Sequence, residues 1–253
     1  MNYSDKLKER LKKNAFKLVE SGSHKGRERN TAFIFDDIKM NFHHKTWSNI
    51  KGNENWLKRS EKKHTHFSDG TFEMQSSNSS DALLMNIFCF PGFFNWSGPK
   101  KILKIDQCKD IQFGWNPEFE NENKNHPTEI DLKIGDNIFE AKMTESSFTA
   151  KEKDVVYSYA DFNKVFNDRN LVDGENSIKH YQLIRNVLTA YKYNYNFTVL
   201  LDESRIDLIR DFTEVLKAIK IIDLKQRINF VTWQELVHAC GEELREYIIE
   251  KYF

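Results

Sequence analysis

TEIDLKIGDNIFEAKM, residues 128–143, is the stretch whose reading decides the fold. Its first half alternates strictly, with Glu129, Asp131 and Lys133 on one side and Ile130, Leu132 and Ile134 on the other. In its second half Glu140 and Lys142 share a face, and Phe139, Ala141 and Met143 take the opposite one. A period of two on both sides of a Gly-Asp-Asn break predicts a β-hairpin with an apolar core face and a charged face. If Gly135-Asp136 is a two-residue type II′ loop, Asp131 pairs with Glu140 and Glu129 with Lys142. If the loop is Asp136-Asn137, Asp131 faces Lys142. Both registers gather acidic and basic groups on one face.

In the first register two carboxylates stand roughly 5 Å apart at Cβ, which is destabilising unless something neutralises them. A hard divalent cation does so, which makes Mg²⁺ the expected cofactor, with Mn²⁺ as a substitute. Asp131, Glu140 and the backbone carbonyl of Ala141 are the expected metal ligands. Such a metal polarises a phosphate and acidifies a bound water. Lys142, two residues along on the same face, can orient or deprotonate that water or stabilise the charge that develops on phosphorus. The plain alternative is an amphipathic surface ribbon with a cross-strand ion pair. The string alone is a weak signal: Asp36 or Asp37 with Glu61-Lys62-Lys63 also matches, but lacks strand alternation and an apolar face.

Outward from the hairpin, SSNSSDALLMNIFCFPG predicts an N-cap and a buried helix from about Ser80, stopped by Pro91-Gly92. KKILKID and IQFGWNP read as short strands. Residues 146–175 read as loop, with a short helix near Val156–Phe166. IKHYQLIRNVLTAYKY has helical periodicity; NFTVLLD is a buried strand, ESRIDLIRDFTEVLKAI a helix, INFVTW a strand and WQELVHACGEELREYIIEKY a closing helix. From Ser80 the expected order is α-β-β-β-α-β-α-β-α. That is an α/β (α+β) chain with a mixed central sheet flanked by helices. Upstream, residues 4–20 read as a helix, 21–30 as a linker and TAFIFDDIKM as the start of a strand, while 43–75 resist assignment. The expected division is a basic N-terminal extension, 1–70, and a core, 71–253.

The net charge is zero but unevenly spread: residues 1–66 carry 16 Lys and Arg against 8 Asp and Glu, and the remainder carries the compensating acidic excess. This suits either a polyanion-contacting arm or a solvated lysine-rich helix. Cys89, Cys108 and Cys240 are too few and too scattered for a disulfide framework or a cysteine zinc site. No apolar run is long enough to span a bilayer and the basic start lacks a signal peptide's apolar stretch, so a cytoplasmic protein without membrane contact is expected. His43-His44 and His64-Thr65-His66 lack third and fourth zinc ligands at usable spacing. Trp47, Trp56 and Trp115 suit base stacking or, more ordinarily, core packing. No phosphate-binding glycine motif occurs.

With these residues in view, the chain resembles the PD-(D/E)xK nucleases, and more narrowly a bacterial restriction-endonuclease-like group. SSDALLMNIF resembles their first core helix, TEIDLKI with IFEAKMTE their catalytic hairpin and YQLIRNVLTA the helix that follows, over roughly residues 76–240. The resemblance implies a restriction-endonuclease-like αβββαβ core, with Asp131 on the second strand and Glu140-Ala141-Lys142 on the third. It also implies a metal-dependent endonuclease acting on DNA, expected to be duplex, in a restriction or defence setting, and it suits a homodimer. Gln182 matches the position where some members place a glutamine near the scissile phosphate. Tyr181 and Arg185 are open between structural and phosphate-contacting roles, and Glu118, Glu129 and Glu145 are candidates for an extra metal ligand. Ile130 stands where the motif's proline would be, and Asp81 where a helix glutamine is often found. The competing functions are a catalytically silent DNA-binding module of the same fold and a nuclease acting on RNA or branched nucleic acid.

Overall fold

The computed structural model describes residues 2–22, 24–64, 69–105, 110–119 and 129–253. Cys108, Thr65 and His66, noted above, lie outside the described residues. Helix α1 (Tyr3–Glu20) is capped by the Asn2 side chain and buries Leu7, Leu11 and Ala15 at i, i+4 and i+8. A hairpin follows, β1 (Gly26–Arg29) and β2 (Ala32–Phe35), then the short helices α2 (His44–Lys51) and α3 (Glu54–Ser60). Helices α4 (Ser80–Phe88) and α5 (Ser97–Leu103) precede the meander β3 (Ile111–Trp115), β4 (Ile130–Ile134) and β5 (Asn137–Ala141). A small sheet comes next, from β6 (Ala150–Glu152), β7 (Val172–Asp173) and β8 (Ser177–Lys179), with α6 (Lys153–Tyr157) and α7 (Phe162–Val165) between its first two strands. The chain continues through α8 (Tyr181–Tyr193), β9 (Asn196–Leu201), α9 (Ile206–Ala218), α10 (Ile222–Arg227), β10 (Ile228–Thr232), α11 (Trp233–His238) and α12 (Glu242–Tyr252).

The central sheet has the order β10-β9-β5-β4-β3, antiparallel through the meander and parallel from β5 to β10. This is the expected mixed sheet with helices on both faces. Ile138, Phe197, Val199 and Leu201 pack against residues of α8 and α9 such as Ile184, Leu188 and Leu208. Leu132, Phe139, Ala141, Leu200 and Val231 pack on the other face against Leu83, Ile87, Leu236 and Leu244 of α4, α11 and α12. The restriction-endonuclease-like αβββαβ core is therefore α4, β3–β5, α8 and β9. The residues before it are closely joined to it: α1 contacts α12, the Ser4 hydroxyl donates to the Thr144 carbonyl at 2.5 Å, and Arg10 pairs with the buried Asp202 at 2.5 Å. No helix among the described residues is long and apolar enough to cross a membrane.

Three local expectations need correction. KKILKID is not a strand: Ser97–Leu103 forms α5, because Pro99 is tolerated in a first helical turn and Pro99 and Leu103, four apart, are buried together. The closing helix is broken at Gly241, whose missing side chain leaves room for the Trp96 ring; a Cβ there would lie 2.4 Å from it. Residues 146–175 contain two strands of a small sheet as well as helices, and the sheet's strands, completed by β8, are two or three residues long and too short to show a period.

Candidate active site

The hairpin register is the one in which Gly135-Asp136 is the loop: Ile134 pairs with Asn137, Lys133 with Ile138 and Leu132 with Phe139. Gly135 has φ +55° and Asp136 is not in the left-handed region, as a type II′ turn requires. Backbone pairing ends at Leu132. Beyond it the Asp131 carboxylate takes over, accepting the Ala141 N–H on Oδ2 at 2.8 Å. On the other side of β4, Gly114 lies in the strand opposite Asp131 with φ +66°, and a Cβ there would meet the Arg59 guanidinium at 2.6 Å.

The charged face of the hairpin is covered rather than exposed. Glu140 and Lys142 are buried, because β9 and the parallel strands extend the sheet and α8 lies across it. Lys142 Nζ stands 3.0 Å from Glu140 Oε1, and Asn186 Nδ2 of α8 donates to Glu140 Oε2 at 2.7 Å. The indole N–H of fully buried Trp233 donates to the Lys142 carbonyl at 2.9 Å, and Lys142 N–H donates to Leu200, so the backbone of Glu140-Ala141-Lys142 is fixed on both sides. Helix α8 has no side-chain cap. Its first N–H groups, of Tyr181 and Gln182, donate to the carbonyls of Thr149 and Phe148. Thr149 has φ +56°, a strained value for a β-branched residue, and holds the helix start where Asn186 reaches Glu140.

Sequence reasoning missed Arg59. It comes from α3, is largely buried, and bridges Asp81 Oδ2 (2.7 Å) and Glu129 Oε1 (2.9 Å) over the edge of the hairpin. Lys62, part of the competing Glu61-Lys62-Lys63 string, is 3.4 Å from both Glu73 and Glu129. No sequence period connects α3 to the hairpin; the one signal was Gly114 within an otherwise strand-like segment.

Burial, with the charges of Glu140 and Asp81 beside it, holds the Asp131 carboxyl well above the usual carboxylate range. Burial opposes the charge on Lys142 too, but Glu140, Glu145 and Asp131 outweigh it and keep the ammonium protonated. Arg59 is held charged in the same way by Asp81 and Glu129. In turn, Glu129 lies below its ordinary value, the pull of Arg59 and Lys62 exceeding the cost of its burial.

The remaining candidates divide plainly. Gln182, one turn before Asn186, has a buried Oε1 with no hydrogen-bond partner among the described residues. Arg185 donates to the Glu129 carbonyl at 3.0 Å, whereas the Tyr181 hydroxyl meets Tyr159 at 2.9 Å within the core. Glu145 borders the site, taking bonds from Ser80 Oγ and Met143 N–H at 2.8 and 2.7 Å. Glu118 is not brought there; it lies beside Lys192 and Tyr193 at the far end of α8. Trp47, Trp56 and Trp115 are partly buried and pack against Phe42, Phe113, and Tyr193 with Tyr195.

A family profile described as restriction endonuclease associating with ARP matches residues 7–253. The chain belongs to that family. The match covers α1–α3 as well as the sheet, so the segment carrying Arg59 falls within the restriction-endonuclease unit. No curated protein and no solved structure gives a significant match. A restriction endonuclease family is one of nucleases that bind nucleic acid, and the site has the groups that phosphodiester hydrolysis uses.

The donor set fits a hard divalent cation. Asp131 and Glu140 present carboxylate oxygens, burial and the charges of Glu140 and Asp81 hold Asp131 above its ordinary value, and Arg59 and Lys142 are engaged with neighbouring acids. Asp131, Glu140 and the Ala141 carbonyl are the groups that would hold it.

Proposed function

We propose that this chain is a divalent-metal-dependent endonuclease of the PD-(D/E)xK superfamily that hydrolyses phosphodiester bonds of duplex DNA. The observation that carries the reading is the meeting of Asp131, Glu140 and Lys142 at the end of the mixed sheet, with Asp131 raised by burial and by its acidic neighbours. Mg²⁺, or Mn²⁺ in its place, supplies Lewis acidity toward the phosphate and a water of lowered pKa. Asp131 is oriented by the Ala141 N–H and Glu140 by Asn186. Lys142, kept protonated by its acidic neighbours, acts as a fixed cation that orients the attacking water and offsets charge on the phosphoryl oxygens. The half-buried Gln182, whose enclosed Oε1 has no partner among the described residues, is assigned to the same water or to the scissile phosphate. A cleft of about 470 Å³ beside the site, lined by Lys8, Arg29, His64, Ser80 and Ser146 among others, takes the strand leading to it. Residues 1–70 thereby contribute DNA contacts to the 71–253 core. The expected setting is cytoplasmic, as a homodimer, with association with ARP as the family's description states.

Plasmid DNA incubated with the protein and Mg²⁺ is expected to be nicked or linearised, and chelation to stop this. Asp131→Ala is expected to lower the rate by at least about 10³-fold, some 4 kcal/mol of barrier. A wild type inactive on duplex, single-stranded and branched DNA and on RNA, in either metal, overturns the reading. Cleavage confined to RNA or branched substrates keeps the chemistry and replaces the substrate.

A further inference from the structure

Away from the sheet end, two histidines of the N-terminal segment meet the C-terminal helix. His43 is the N-cap of α2 and is buried, His44 opens that helix and is exposed, and Glu243 lies in the first turn of α12. One ligand atom from each of the three lies within 4.8 Å of the others, and His43 Nε2 is 3.6 Å from Glu243 Oε1. Ligands on a tetrahedral zinc ion with bonds of about 2.0–2.1 Å are roughly 3.3 Å apart, so the buried pair needs little movement and exposed His44 only a change of rotamer. We propose that His43, His44 and Glu243 form a second metal site, for a borderline transition cation such as Zn²⁺, that fastens the N-terminal segment to α12.

Three features favour this. The His43 ring packs against Phe90 and Tyr247 with Nε2 turned toward Glu243. Glu243 divides its oxygens: Oε2 is held by Lys45 Nζ at 2.6 Å while Oε1 faces His43, so one-oxygen coordination leaves the lysine pair intact. The three residues line a cleft of about 520 Å³ with Glu242, Glu246 and Glu250, whose negative field draws cations in. Coordination through Nε2 requires the ring proton on Nδ1, so the Lys45 N–H contact that Nδ1 accepts at 3.2 Å in the metal-free chain is given up on binding. Imidazole nitrogens select Zn²⁺ over Mg²⁺ here, in contrast to the all-oxygen set at Asp131 and Glu140.

The test uses tag-free full-length protein carrying Asp131→Asn, so that the sheet-end carboxylates do not compete. Calorimetric titration with ZnCl2 is expected to show one site of micromolar or tighter affinity, Zn²⁺ but not Mg²⁺ is expected to raise the melting temperature, and Co²⁺ is expected to give the visible absorption of a four-coordinate ion. His44→Ala and Glu243→Gln, both at exposed positions, are each expected to weaken Zn²⁺ binding at least tenfold and to abolish the melting shift. Absence of stoichiometric Zn²⁺ binding overturns the proposal, as does binding unchanged in both variants.

Discussion

The hairpin of β4 and β5 and the helix α3 supply charged groups to one site by opposite means. In the hairpin, Asp131, Glu140 and Lys142 share a face because a strand has a period of two and Gly135 permits the turn. Arg59 reaches the same place from α3, across 22 residues to Asp81 and 70 to Glu129, with no local pattern to place it. The first set is positioned by backbone geometry and the second by burial and ion pairing. The hairpin therefore keeps its arrangement when a side chain is changed, whereas the α3 contact is lost with one residue.

The largest effect expected from this contrast is on stability. Arg59→Ala leaves Asp81 and Glu129 without their main partner in a poorly hydrated place, and is expected to cost about 3–5 kcal/mol. Urea unfolding measures it; a loss below about 1 kcal/mol, typical of an exposed pair, shows that α3 is not held by this contact. A smaller effect is expected inside the hairpin. Asn186→Ala removes the donor to Glu140 Oε2 and is expected to reduce cleavage by roughly 10–100-fold, with the fold retained by circular dichroism. Unchanged cleavage removes Asn186 from the site.

The smallest change concerns Asp131, and its sign is opposite. The folded chain holds the Asp131 proton more tightly than the unfolded chain does, so stability falls as pH rises from the ordinary carboxylate value through the raised one. The cost grows toward neutral pH. Asp131→Asn is expected to raise the metal-free melting temperature there by a few degrees, about 1 kcal/mol, with the difference closing toward about pH 4. Equal melting at both pH values contradicts the unbalanced charge at Asp131.

What could be read from the sequence follows the same division. The hairpin, its turn, and the longer helices and strands around it, such as α4, α8 and β9, carry their own periodicity, so fold class and the positions of Asp131, Glu140 and Lys142 were legible. That Glu140 and Lys142 are buried was not, because it depends on β9 and α8, which the alternation of the hairpin does not mention. Residues 43–75 were unreadable because their short helices are stabilised by side-chain caps at His43 and Asn53 and by long-range contacts such as Asn41 with Met74 and Asn86 with His43. Part of the basic excess of residues 1–66 is spent on acids elsewhere in the chain: Arg10 on Asp202, Lys45 on Glu243, Arg59 on Asp81.

The packing of α1 on α12 and the Arg10–Asp202 pair also set an order of events during synthesis. Leu7 and Leu11 leave the ribosome long before their partners on α12, Leu244, Ile248 and Tyr252, which lie roughly 230–245 residues further along the chain. Ala15 of the same helix meets Phe33 and Phe35 of β2 early, but at about 5–20 residues per second Leu7 and Leu11 wait roughly 12–48 s for their α12 partners. During that interval this part of the helix is a substrate for chaperones, and its contact with α12 closes as a late event of translation.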